Sequence, residues 1–135
     1  LNKRKPLRLS MQVSDLQIND EHKTISPDTT LDVAAKEILE LGRGVLVVLE
    51  NGSPLGILTD SHILLAISKS LDCRNEICRN HLDSNFISVS PTNNVKSISL
   101  EMRSKKPSSV MVVDDSNTFI GYFSPNDYRE ALSSL

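Results

Sequence analysis

A serine and a carboxylate three residues apart, Ser124 and Asp127, follow the apolar run Phe119-Ile-Gly-Tyr-Phe123, with Pro125 between them. Proline favours the first position of a helix, which makes Ser124 the N-cap. A hydroxyl there lies beside unpaired amides at the positive end of a helix, a ready site for an anion. A carboxylate one turn on can accept hydrogen bonds from a pair of sugar hydroxyls. The plainer reading is a helix cap contributing about 1 kcal/mol, with Asp127 balancing the helix dipole. Both readings stand at this level.

Other chemistry is weaker. Cys73, Cys78 and His81 have the spacing C-x4-C-x2-H, and His62 is a further imidazole. No paired C-x2-C knuckles accompany them, so thiols of a connecting helix are expected rather than a zinc centre. The sequence holds no G-x-S-x-G elbow and no phosphate-binding Walker loop. We therefore expect no catalysis, no metal and no catalytic cofactor.

The elements that position Ser124 emerge from an internal repeat. Pro27 and Pro91 each precede a helix. The first has Thr30 as its cap and Leu31, Ala34, Ala35 and Ile38 on one face; the second has Asn94, then Val95, Ile98 and Met102. Gly42 and Gly44 end the first helix and Pro107 ends the second. Apolar strands follow at Val45–Leu49 and Val110–Val113. Turns at Asn51-Gly52 and Asp115-Ser-Asn117 lead into strands Leu55–Leu58 and Phe119–Phe123. The final helices begin at Thr59 and Ser124, and short strands at Lys23–Ser26 and Phe86–Ser90 precede the prolines. The expected fold is α/β: two pseudo-symmetric β-α-β-β-α repeats, residues 11–72 and 73–135, packed sheet to sheet. Copies of about 60 residues are too small to bury such strands alone.

The chain has 135 residues, with 15 Lys plus Arg against 17 Asp plus Glu, so a broad positive field for nucleic acid is lacking. Aromatics are only 4%, without Trp, leaving Val, Ile and Leu to fill the core. No apolar run reaches the ~20 residues of a membrane span, and two Cys make no disulfide scaffold, so a reduced cytoplasmic protein is expected. Residues 1–10 form a basic arm with Lys3, Arg4, Lys5 and Arg8 and no signal-peptide pattern; Met11 is a candidate natural start.

The runs G-I-L-T-D-S-H-I (Gly56–Ile63) and G-Y-F-S-P-N-D-Y (Gly121–Tyr128), each with its upstream proline-helix-strand pattern, resemble the tandem cystathionine β-synthase (CBS) domain pair, or Bateman module. The resemblance covers roughly residues 11–135. It implies a regulatory module binding AMP, ADP, ATP or S-adenosylmethionine in clefts between the copies, and controlling an enzyme or transporter. It assigns Ser124, Asp127 and Tyr122 to one cleft, with Ser26, Pro27, Gly44 and Val45 as the adenine slot. A second, weaker cleft takes Thr59, Ile57, Ser90, Pro91 and Ser108. There His62 stands in place of the family's Asp; neutral imidazole offers one acceptor and protonated imidazole none. The alternative is a homodimerisation module with degenerate clefts, pairing through Ile63, Leu64, Leu65 and Ile67.

Overall fold

The computed structural model describes residues 11–134; the basic arm, Lys3 to Arg8, lies outside the described residues. The repeat takes form as two three-stranded sheets. In the first copy β1 (His22–Ile25) pairs parallel with β2 (Val45–Glu50), and β2 antiparallel with β3 (Ser53–Leu58). In the second, β4 (Phe86–Val89), β5 (Ser109–Val113) and β6 (Phe119–Phe123) repeat that order. Helix α1 (Leu31–Leu41) crosses from β1 to β2 and α3 (Val95–Lys105) from β4 to β5; α2 (Asp60–Ser68) and α4 (Pro125–Ser133) close the copies. No helix among the described residues is long and apolar enough to cross a membrane.

Each central strand is buried as a continuous run, Leu46–Val48 in β2 and all of Ser109–Val113 in β5, so β-branched and aliphatic residues occupy both faces. Pro54, which cannot donate to a ladder, falls in the edge strand β3. Asn51 (φ 52°) and Gly52 (φ 84°) adopt the paired positive φ of a tight hairpin. Helices α1 and α3 bury the apolar faces that periodicity predicts: Leu31 and Ala34 in one, Val95, Ile98 and Met102 in the other. Stacking of Phe123 on Tyr128, with ring centroids 5.6 Å apart, ties α4 to its sheet. The Tyr128 hydroxyl donates to the Val95 carbonyl at 2.9 Å and so anchors α4 to α3.

The compact units cut across the repeat boundary. Residues 11–20 belong with 86–134, and residues 21–85 form the other unit. In the first of these, the amides of Val13 and Ser14 donate to the carbonyls of Asn93 and Pro91, and Val95 donates to Met11. In the second, Leu31 and Asp32 donate to Glu76 and Cys73, while Cys78 and Arg79 donate to Thr29 and Pro27. The segment ahead of each copy's first strand thus caps the loop of the other copy's first helix. The repeat extends into stretches that carry no obvious repeat in sequence.

Two local expectations are corrected. The stretch holding Cys78 is a three-residue 3-10 turn, Cys78–Asn80, rather than a connecting helix. Thr30 is the N-cap residue of α1, but its hydroxyl accepts no amide: it donates to the Asp32 carboxylate, and that carboxylate takes the Val33 amide which a capping hydroxyl would accept.

Gly44 has φ +101°, and a Cβ there would sit 2.1 Å from the Glu21 carbonyl oxygen, a backbone atom. Gly44→Ala is therefore expected to destabilise by more than about 1 kcal/mol. An unchanged urea midpoint would show that β1 and β2 can separate at that end without penalty.

Candidate functional site

Where β6 ends, Ser124 leaves the strand in an extended conformation (φ −84°, ψ 153°) and caps α4. Its Oγ accepts the Asp127 amide at 3.1 Å. Pro125 follows at the first helical position. The acceptor for Ser124's own amide comes from 104 residues away: Asp20 Oδ2, at 2.8 Å. Asp20 also donates its amide to the Tyr122 carbonyl at 2.7 Å, and Asn19 Oδ1 accepts the Tyr122 amide at 3.2 Å. Asn19 and Asp20 are thereby strapped along the edge strand β6.

Asp20 and Asp127 converge on Ser124, and their environment reflects it. Burial, then the adjacent Asp127, raise the Asp20 carboxyl above its ordinary range despite the stabilising Ser124 amide. Burial, followed by the charges of Asp20 and Asp127, pushes the Tyr122 hydroxyl up to about 12. Tyr122 is a buried residue of β6.

The first copy resolves the same cap differently. His62 Nδ1 accepts the Thr59 amide at 2.9 Å and lies 3.1 Å from Thr59 Oγ1. Because that nitrogen accepts a backbone N–H, the ring proton resides on Nε2, leaving imidazole no further acceptor. Asp83, which pairs its backbone with Ile57 as Asp20 pairs with Tyr122, turns its carboxylate to the Asn85 amide.

Parallel pairing separates the residues assigned to the adenine slot. Val45 is in register with His22 at the start of β1, and Gly44 is packed on Glu21, whereas Ser26 and Pro27 follow β1 at its far end. Five residues of strand put the two pairs about 16 Å apart. Ser26 Oγ accepts the Asp28 amide in a local turn, and the Pro27 carbonyl accepts from Arg79. Likewise Ser108 lies at the Phe86 end of its sheet, while Ser90 and Pro91 follow β4 at the opposite end and hold the turn to Asn93 and the Ser14 amide. The end of β6 lies with Ser108, and the end of β3, with buried Ile57 and Thr59, lies with Gly44 and Val45.

Asp20 and Asn19 are functional candidates that sequence reasoning did not single out. Their nearest signal is the hidden equivalence of the segment before β1 with the segment before β4. Cys78 is a core residue, its thiol pushed up to about 11 by burial, and His81 Nε2 lies 2.8 Å from Glu76 Oε1. Among the described residues no cluster of three or more His, Cys, Asp or Glu could hold a metal ion. A cavity of about 530 Å³ opens elsewhere, between α3 and α4, lined by Met102, Arg103, Lys106, Tyr128, Arg129 and Leu132; neither Ser124 nor Asp127 lines it.

Because folding raises the Asp20 carboxyl, the native chain holds that proton more firmly than the unfolded one. Stability contributed at Asp20 therefore falls as pH rises through this window and returns in acid. Asp20→Asn, which keeps an oxygen for the Ser124 amide, should melt above wild type at pH 7, with the gain shrinking towards pH ~4. A pH-independent difference would locate the effect elsewhere.

Solved structures similar to this chain share its architecture. CBS domain protein PAE2072 from Pyrobaculum aerophilum, complexed with AMP, is 20% identical with a TM-score of 0.69 over 93% of this chain and 100% of the other. A putative acetoin utilization protein (AcuB) from Vibrio cholerae is 20% identical, TM-score 0.71, over 93% of each chain. The CBS domain pair of protein MJ0100, in complex with 5′-methylthioadenosine and S-adenosyl-L-methionine, is 20% identical, TM-score 0.70, over 92% of this chain and 97% of the other. No curated protein matches the sequence. The family model for the CBS domain matches residues 13–69 and 76–134. With nearly its whole length accounted for by two such matches, the chain belongs to the CBS domain family.

Proposed function

We propose that this CBS pair is a non-catalytic regulatory module that senses an adenosine-containing molecule through the Ser124–Asp127 end of its second copy. The observation that carries the reading is the handling of the α4 cap. Ser124's amide goes to Asp20 and the Asp127 amide to Ser124 Oγ, so the Asp127 carboxylate caps neither. It stands in the first turn of the helix, hydrogen-bonded to the Asp20 carboxyl and with lone pairs left for sugar hydroxyls, whereas His62 in the first copy is consumed by its own cap. AMP, 5′-methylthioadenosine and S-adenosylmethionine in the similar structures support the ligand class. Binding regulates a partner enzyme or transporter only if the ligand prefers one of two arrangements of the chain.

Thermal melting with AMP, ADP, ATP, 5′-methylthioadenosine and S-adenosylmethionine tests this. A ligand at 100 times its Kd adds about 2.7 kcal/mol, a rise of about 5 °C or more. Asp127→Ala should abolish the rise while leaving the unliganded melt cooperative. No rise with any compound at millimolar concentration would overturn the sensing role.

The exposed face of α2 supports self-association as well. Ile63 is buried in its own unit, but Leu64 (63% exposed), Leu65 (53%) and Ile67 (56%) present an apolar surface. We assign that surface to a second copy of the chain. Sedimentation velocity should show association with rising concentration, lost in Leu65→Lys. A monomer at all concentrations would remove both the dimer and the alternative role as a dimerisation scaffold.

A further inference from the structure

The first turn of α4 has few donors left for an anion. Ser124's amide is taken by Asp20 Oδ2 at 2.8 Å, Pro125 has no amide hydrogen, and Asp127's amide is taken by Ser124 Oγ at 3.1 Å. Asn126 carries the remaining first-turn amide, and one donor does not make the cradle that phosphate finds at a helix N-terminus. Two carboxylate-bearing residues, Asp20 and Asp127, flank the same cap and are hydrogen-bonded to each other. Charged or protonated, the Asp20 oxygen occupies the position an anionic oxygen would need; charged, it also repels one. A cap with so few donors left works against the anion site that Ser124 suggests in sequence.

Resting on the ligand class proposed above, we propose that Asp20 is the specificity-determining residue of this site. It selects an adenosine derivative whose 5′ substituent is neutral or cationic over one bearing a 5′ phosphate. The sugar hydroxyls remain with Asp127. The 5′ position faces a carboxylate, which tolerates a neutral thioether, attracts a sulfonium cation and disfavours a phosphate dianion.

Calorimetric titration of the full chain with 5′-methylthioadenosine, S-adenosylmethionine and AMP decides the matter. Wild type should bind the first two at least about tenfold more tightly than AMP. Asp20→Ala, which frees the Ser124 amide and removes the charge, should narrow that gap to about threefold or less by strengthening AMP. Its affinity for 5′-methylthioadenosine should stay within about twofold. Asp20→Asn keeps the oxygen and removes only the charge, so it should fall between and serves if the alanine variant folds poorly. Wild type binding AMP as tightly as 5′-methylthioadenosine, or a gap unchanged in both variants, would overturn the role of Asp20 while leaving adenosine sensing intact. Binding of none of the three, nor of ADP or ATP, would overturn the sensing reading itself.

Discussion

The contact on which the rest of the site depends is the hydrogen bond from the Ser124 amide to Asp20. It joins a segment ahead of the first strand to the cap of the last helix. It fixes Ser124 in its extended conformation and leaves the helix's own acid uncommitted to capping. It also places a second carboxylate beside the first. Neighbouring pairs between Asn19, Asp20 and Tyr122 hold that strap in line with β6, so Asp20 meets the cap from a supported backbone rather than as a loose side chain. Burial and the nearby acid work against the arrangement; three backbone-directed bonds maintain it.

The two copies illustrate how one framework carries different chemistry. Both end β-strand to helix with a hydroxyl residue whose backbone amide must find a partner. In the first copy a histidine three residues on supplies it locally, and the cap is self-contained. In the second the partner comes from a distant segment, and the carboxylate three residues on meets that partner rather than the cap amide. A single exchange of partner, local for remote, separates a purely structural helix start from one with a usable acid.

Much of this was legible in the sequence because it is encoded locally. Proline, N-cap hydroxyls, the Asn51-Gly52 turn and runs such as Val45–Leu49 each fix their element within a few residues, and the repeat confirmed each by its counterpart. Strand ends shifted by at most two residues, the most at β3, which begins at Ser53 rather than Leu55. What stayed hidden depends on pairing between distant segments. Ser26 and Gly44 look like members of one slot until parallel register sends them to opposite ends of β1 and β2. Asp20 sits in a stretch without periodicity, and its partner Ser124 is 104 residues on, so neither propensity nor spacing marks it. Thr30 shows a smaller version of the same limit: the Asp32 carboxylate takes the first-turn amide that its hydroxyl was expected to accept.

The way segments 11–20 and 86–134 close on each other also bears on how the chain matures as it is made. The unit of residues 21–85 is continuous and is complete once Asn85 has been synthesised. Its counterpart must keep the stretch with apolar Met11, Val13, Leu16 and Ile18 waiting until residues 86–134, more than sixty positions on, have been made. During that interval an apolar ribbon is without its native cover, which makes residues 11–18 an exposed hazard of biosynthesis until α3 and α4 relieve it.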